Sequence, residues 1–438
     1  MDGRRQLGEL AIANPELAHP MWLRETSSRE RRTLLAGFLG YGVDGFDFMA
    51  YTFVIPTLIA EWGMSRTEAG YIATGALLTS AIGGWAAGIL ADRFGRVPIL
   101  QLTVLWFAIF TFLSGFTQSY PQLLFTRTMQ GFGFGGEWSV GSLLVAEVID
   151  ARHRGKAAGL VQSSWAVGWA VAALAFWAVY ALVPPALGWK ILFWIGIAPA
   201  LMIFYVRRHV EESPAFTSPM AEAARDGRHA AAGIAGRSFL SIFRPPLLRP
   251  TLLASLLSCG MLCAYYSVTT WLPTYLRQER HLSVTGTSTY LLVLILGSFV
   301  GYLSSAWASD ALGRRRCFML FALCGMLLIL TYMRMPITDF EMLFLGFPLG
   351  FFLSGIFSGM GALLAELYPA DVRGSGQGFC YNIGRALGAA CPALIGAWSA
   401  HASLAVAIGA VTAAAYAMVI VAAWALPETR GRILLATM

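Results

Sequence analysis

Stretches of about twenty apolar residues recur along the whole chain, and this recurrence constrains the fold more than any other feature. They stand near 33–60, 67–90, 97–117, 121–148, 156–182 and 188–206, and again near 248–277, 284–308, 316–334, 340–367, 375–399 and 403–426. A run of that length crosses the bilayer hydrocarbon as a helix, because internal hydrogen bonding is the only way to satisfy its backbone away from water. Charged residues are 13% of the 438, against roughly 25% in a soluble domain. That is too little polar surface to coat a chain that is 57% apolar. The reading is an all-α membrane protein of twelve transmembrane helices. The expected division is a tail at 1–32, a six-helix bundle at 33–206, a central loop at 207–247, a second bundle at 248–426 and a tail at 427–438.

Basic residues set the orientation. Arg93 and Arg96, Arg152, Arg154 and Lys156, the central stretch, Arg314 to Arg316, and Arg373 all fall in even-numbered loops. Cytoplasmic loops are the ones enriched in Arg and Lys, so both termini are expected in the cytoplasm and the protein in the cell (inner) membrane. The same bias accounts for the formal charge of +7 without a nucleic-acid partner. The expected partners are the lipid bilayer, protons and a small solute, and the expected state is a monomer.

The two halves repeat each other. Ala91-Asp92-Arg93-Phe94-Gly95-Arg96 after the second run is matched by Ser309-Asp310-Ala311-Leu312-Gly313-Arg314 after the eighth. Glu147, Arg154-Gly155 and Gly159 are matched by Glu366, Arg373-Gly374 and Gly378 at the same spacing. Internal duplication of this kind places a binding site at the midplane between the halves. The paired signatures suggest gating: Glu147 with Arg154, and Glu366 with Arg373, are expected to form ion-pair latches that break when one face opens. Asp92 can pair with an Arg or face a helix N-terminus. The alternative is that these charges only set topology.

Gly88-x-x-x-Asp92-Arg93-x-Gly95-Arg96 resembles the loop signature of the major facilitator superfamily. Arg127-x-x-x-Gly131-x-Gly133, Gly188-Trp189-Lys190 and Glu212-Ser213-Pro214 resemble further signatures of it. The resemblance covers about 33–430 and implies the major facilitator fold, two six-helix bundles rocking about a central cavity.

Charge at bilayer depth is costly and marks working sites. Asp44 and Asp47 lie in the first run, Arg127 and Glu137 in the fourth, Arg385 in the eleventh. At about 1.5 Å per residue, Asp44 and Arg385 both reach mid-membrane, and Arg127 comes level with Asp47. An Asp47–Arg127 pair and an Asp44–Arg385 pair are therefore expected. Asp44, Asp47 and Glu137, tuned by Arg127, are the candidates for proton coupling; a static pair between helices is the alternative. Arg385 is the candidate anchor for a substrate carboxylate, with Asn382 one turn earlier beside it. Trp138, Gln162, Trp165, Tyr265 and Tyr266 are candidates for the cavity wall, although rings also serve as packing and interface belts.

Asp44-Gly45-Phe46-Asp47 and Asn382-Ile383-Gly384-Arg385 resemble motifs of the aromatic-acid:proton symporters. Gly135-Gly136-Glu137-Trp138 is more similar to the metabolite:proton group with sialate and lactate carriers. The resemblance implies a proton-coupled symporter taking up a small organic acid, an aromatic carboxylate or similar monocarboxylate. An exporter of drugs or metabolites is the first alternative, but the fifth run, Gly159-Leu160-Val161-Gln162-Ser163-Ser164-Trp165, lacks the Gly-x-x-x-Gly-Pro that such exporters often carry. A non-transporting receptor is the second, and 207–247 is short for a receptor's soluble domain. An enzyme is not expected. His19, His153, His209, His229, His281 and His401 are scattered, and no metal, nucleophile or phosphate-binding motif occurs, so no cofactor is expected. The six cysteines read as small core residues, with Cys259 and Cys263 on one helix face.

Overall fold

The structure is a computed structural model that describes residues 22–150, 153–198, 200–212, 240–335, 337–369 and 372–430. The described residues form helices and turns, with no strand among them. After a one-turn helix at Trp22–Glu25 come α1 (Ser28–Trp62), α2 (Arg66–Phe94), α3 (Arg96–Ser114), α4 (Tyr120–Val148) and α5 (Arg154–Leu182). The sixth element, α6, is in two pieces, Pro185–Ile195 and Ala200–His209. The second half holds α7 (Leu248–Gln278), α8 (Val284–Leu312) and α9 (Arg314–Arg334). In α10, Asp339–Gly355 passes through a 3-10 turn at Ile356–Gly359 into Met360–Leu367. Finally α11 has two pieces, Arg373–Gly388 and Cys391–Trp398, and α12 is Leu404–Ala425.

Nine of the described helices are long and apolar enough to span a bilayer. The others have local reasons for falling short. In α4 the charges of Arg127 and Glu137 interrupt the apolar run. In α6 and α11 a turn divides the run that the sequence reading took as continuous. Pro392 opens the second piece of α11, where a missing N–H costs nothing.

Caps fix the boundaries. Ser27 with Glu30, Ser65 with Glu68 and Thr338 with Glu341 close reciprocal capping boxes at the starts of α1, α2 and α10. Gly95 and Gly313, at φ 102° and 94°, turn α2 into α3 and α8 into α9. A side chain is strained in that conformation, which explains why both repeats carry glycine there.

Packing follows the duplication. In the first half α2 packs on α4, α3 on α4 and α1 on α5; in the second, α8 packs on α10, α7 on α11 and α12, and α9 on α12. Glycine permits the closest approaches. A Cβ built on Gly135 would stand 1.7 Å from the Ser80 carbonyl oxygen, and one on Gly350 would stand 1.9 Å from that of Leu294. Small residues substitute here for the hydrophobic drive that is absent between helices in lipid. The bundles meet where α5 packs on α8, α2 on α11 and α1 on α7. Trp85, Trp307 and Phe344 are among the large apolar side chains left on the outer surface, where lipid would lie.

The helices alternate in direction, so the ends sort onto two faces. One, here the terminal face, carries the start of α1, the α2–α3 and α8–α9 turns and the end of α12; the opposite face carries the α1–α2 and α7–α8 connections.

One pairing corrects the sequence reading. Cys263 of α7 and Cys391 of α11 are joined by a disulfide, not left as core thiols. They lie 128 residues apart in the chain, so only the packing of those two helices brings them together.

Candidate functional site

A small cavity, of about 30 Å³, lies between the bundles. The first bundle lines it with Tyr41, Asp44, Phe134, Trp138, Gln162 and Trp165, and the second with Leu262, Tyr265, Tyr266, Tyr302, Phe357, Tyr381 and Arg385. Most of the wall is aromatic, with one acid and one guanidinium set into it, the pattern of a site for a small, partly apolar ligand with few polar anchors.

Asp47 is not on this wall. Its carboxylate is only 1% exposed and accepts from Arg127 Nη1 at 2.9 and 3.0 Å, Thr111 Oγ1 at 2.8 Å and Gln130 Nε2 at 2.9 Å. Arg127 also lies over the rings of Tyr51 and Phe193. The expected level match of Asp47 and Arg127 holds, and the result is a buried ion pair joining α1, α3 and α4 in which both Asp47 oxygens are bonded.

Asp44, one turn earlier, is its opposite. It is 1% exposed and lines the cavity, yet no N–H or O–H among the described residues donates to either of its oxygens. Its carboxyl instead neighbours that of Glu137, itself buried, with Oε2 lacking a donor. Among the described residues no cation is bonded to either of these two buried acids.

Arg385 reaches the cavity from α11 and is 4% exposed. The expected direct pair with Asp44 is not formed among the described residues: the guanidinium lies over Trp138 at 5.4 Å and Tyr381 at 5.2 Å, with Nε and Nη1 unpartnered. A flat guanidinium is held by ring faces, and Asp44 is turned toward Glu137. Asn382 corrects a second expectation. Its amide donates to the Gly378 carbonyl of its own helix, and it is not among the cavity residues. Tyr381, the preceding residue, takes its place and stacks on Trp138 at 4.7 Å and 11°. The other expected wall residues are in position. Gln162 donates to the Tyr41 hydroxyl at 3.0 Å, Trp165 donates to the Tyr265 hydroxyl at 2.6 Å, and Tyr266 packs on Phe48. Tyr41, Phe134, Leu262, Tyr302, Phe357 and Tyr381 escaped the sequence reading. Two of them carried a signal: Tyr41 is three residues before Asp44 and Tyr381 four before Arg385, spacings that share a helix face.

Toward the opposite face the bundles are sealed. Arg66 donates to Gln278 at 3.1 and 3.2 Å and pairs with Glu279 at 3.7 Å. Thr74 donates to the Ala389 carbonyl at 2.6 Å, and Ala393 N–H donates to Thr74 at 3.3 Å, so the break in α11 is itself part of the seal.

On the terminal face the acids and Arg373 of the expected latches bond as follows, while the Arg154 side chain expected beside Glu147 is not among the described ones. Glu147 pairs with Arg96, which donates from Nε and Nη2 at 3.1 Å. Glu366 pairs with Arg314 in the same way, at 3.0 to 3.3 Å. Arg373 donates to the carbonyls of Ala365 and Tyr368. Glu212 accepts from the N–H groups of Arg96 and Val97, and Glu428 from those of Arg314 and Arg315, so an acid caps each of α3 and α9. Arg93 stands exposed at the end of α2, and Gly88 has open space around it. The side chains of Asp92, Arg154 and Asp310 lie outside the described ones.

Residues 37–308 and 294–435 match the family model described as Major Facilitator Superfamily. The chain belongs to this superfamily. It is 40% identical over 410 residues to a probable 4-methylmuconolactone transporter of Cupriavidus pinatubonensis, covering 94% of this chain and 93% of that one. It is 31% identical over 365 residues to a cis,cis-muconate transport protein of Acinetobacter baylyi, covering 83% and 86%. Among solved structures, the proton:xylose symporter XylE superposes with a TM-score of 0.72 at 18% identity, covering 93% of this chain and 98% of that one, a likeness of fold. This major facilitator protein is thus a multi-pass membrane transporter and not an enzyme, and its two bundles of six helices are those of the superfamily. Among the described residues no cluster of His, Cys, Asp or Glu is suited to a metal.

Proposed function

We propose that this transporter takes up a small organic acid together with protons, by alternating exposure of the central cavity to the two faces. The observation that carries the reading is the wall of that cavity: a guanidinium with unpartnered nitrogens, Arg385, on the same pocket as a carboxyl, Asp44, that shares its buried surroundings with Glu137. A substrate carboxylate fits Arg385 through two parallel hydrogen bonds. The acid pair is a store for one proton, which leaves when the pair is hydrated or when a cation approaches. Binding of the anion to Arg385 removes from Asp44 the field of a nearby positive charge, which favours the protonated pair, so anion and proton load together. The relatives named for muconate and for 4-methylmuconolactone support a small organic acid as cargo.

In this reading 33–206 and 248–426 are the rocking units, the chain works as a monomer in the cell (inner) membrane, and the Arg-rich terminal face is cytoplasmic. The sealed opposite face then makes this conformation closed to the outside. Asp47 and Arg127 are a structural pair, and coupling rests on Asp44 and Glu137.

The test is uptake by proteoliposomes of labelled cis,cis-muconate, nicotinate and benzoate. An inward proton gradient should drive accumulation of at least one of them, and an uncoupler should abolish it. Asp44→Asn should lose accumulation while keeping substrate exchange. Accumulation that ignores the proton gradient and follows sodium would refute the proposal.

A further inference from the structure

Trp138 and Tyr381 come from opposite bundles, α4 and α11, and stack at 4.7 Å and 11°. Both sit on the terminal side of the cavity. Trp138 is one turn nearer the terminal end of α4 than Phe134, and Tyr381 one turn nearer that of α11 than Arg385. The other ring contacts between bundles, Trp165 with Tyr265 and Phe48 with Tyr266, lie deeper along their helices. The hydrogen bonds that tie the bundles together among the described residues are at the cavity or on the opposite face. The stack is therefore the ring contact between the bundles nearest the terminal face. Arg385 lies across it, at 5.4 Å from one ring and 5.2 Å from the other, with two nitrogens unpartnered.

We propose that Trp138 and Tyr381 are a thin gate on the terminal side of the cavity and that Arg385 is its latch, released when a carboxylate takes the guanidinium. A guanidinium within 5.4 Å of both ring centres touches one ring of each bundle and so holds the bundles together at this level. A carboxylate competes for the same guanidinium with stronger, charge-assisted bonds, and a guanidinium drawn to it leaves the rings with their mutual stacking alone. Tyr381 is thus a positioning residue. It keeps Arg385 aimed into the cavity while empty and parts from Trp138 when the site is filled. The carboxylate step rests on the function proposed above; the gate itself does not.

The test reads the gate without substrate. In purified protein in detergent, with Cys259, Cys317, Cys324 and Cys380 changed to Ser, Gln162→Cys reports access to the cavity through its rate of reaction with a bulky hydrophilic maleimide. Because the opposite face is sealed, that rate measures the terminal gate. Trp138→Ala and Tyr381→Ala should each raise it about tenfold, the double variant no further, and Trp138→Phe should stay slow. Arg385→Gln leaves both rings in place and should still speed labelling several-fold, a change that purely structural stacking would not produce. Labelling in Arg385→Gln equal to the parent overturns the latch. Unchanged labelling in alanine variants that remain monodisperse overturns the gate. If those variants do not fold, Trp138→Leu and Tyr381→Leu, which keep an apolar side chain but lose the ring stack, replace them: faster labelling is expected, and unchanged labelling overturns the gate. A working gate with no proton-driven uptake would sink the transport proposal alone.

Discussion

Replacing Arg127 by Met removes the only described cation bonded to Asp47 and leaves a carboxylate that is 1% exposed. Thr111 and Gln130 still donate to it, at 2.8 and 2.9 Å, but neither carries charge. Breaking a buried ion pair by removing one partner costs about 3–5 kcal/mol, chiefly the cost of the uncompensated charge. Replacing both partners removes that charge, so Asp47→Asn with Arg127→Met should lie within about 1–2 kcal/mol of the parent. The coupling energy between the two sites should then be about 2 kcal/mol or more. The assay is a double-mutant cycle on reversible unfolding in mixed micelles, with proton-driven accumulation per folded molecule measured on the same four proteins. A structural pair predicts strong coupling in stability and retained accumulation in the double variant. A well-folded double variant that exchanges substrate but no longer accumulates it would show that Asp47 itself cycles a proton, and the assignment to Asp44 and Glu137 would fall.

The remaining expectations concern other parts of the frame. Arg96→Gln and Arg314→Gln each break a two-point bond to an acid, with Glu147 and Glu366, and should speed exchange between conformations; distance measurements between spin labels on the terminal face should show a broader distribution, and an unchanged one would refute the latch. Gly135→Ala puts a Cβ 1.7 Å from the Ser80 oxygen, so α2 and α4 must separate; a loss of about 3 kcal/mol or more in unfolding free energy is expected, above the usual overpacking range of roughly 1–3, and a near-neutral result would show that the helices slide apart easily. Arg385→Lys should weaken carboxylate binding clearly and Arg385→Ala nearly abolish it, by calorimetry on folded protein, because Lys cannot reproduce a two-bond grip.

The sequence by itself determined what depends on one helix at a time. Run length and the scarcity of charge specify spanning helices, since a backbone in lipid has no other solution. Counting residues along α1 and α4 was enough to bring Asp47 level with Arg127, because rise per residue is fixed. Matched signatures announced the repeat down to Gly95 and Gly313, whose left-handed backbone requires glycine in both halves. Tertiary structure decided which neighbours those side chains choose. Glu366 and Arg373 are close in sequence, yet Glu366 is held by Arg314 at the start of α9. Depth matched Asp44 with Arg385, but rotation about each helix axis turned one toward Glu137 and the other onto Trp138 and Tyr381. Rotation also excluded Asn382 from the cavity in favour of Tyr381, its neighbour in the chain. The Cys263–Cys391 bridge depends on α7 lying against α11. Depth in a membrane is a one-dimensional quantity that a sequence carries, whereas azimuth and partner belong to the packing of several helices against one another.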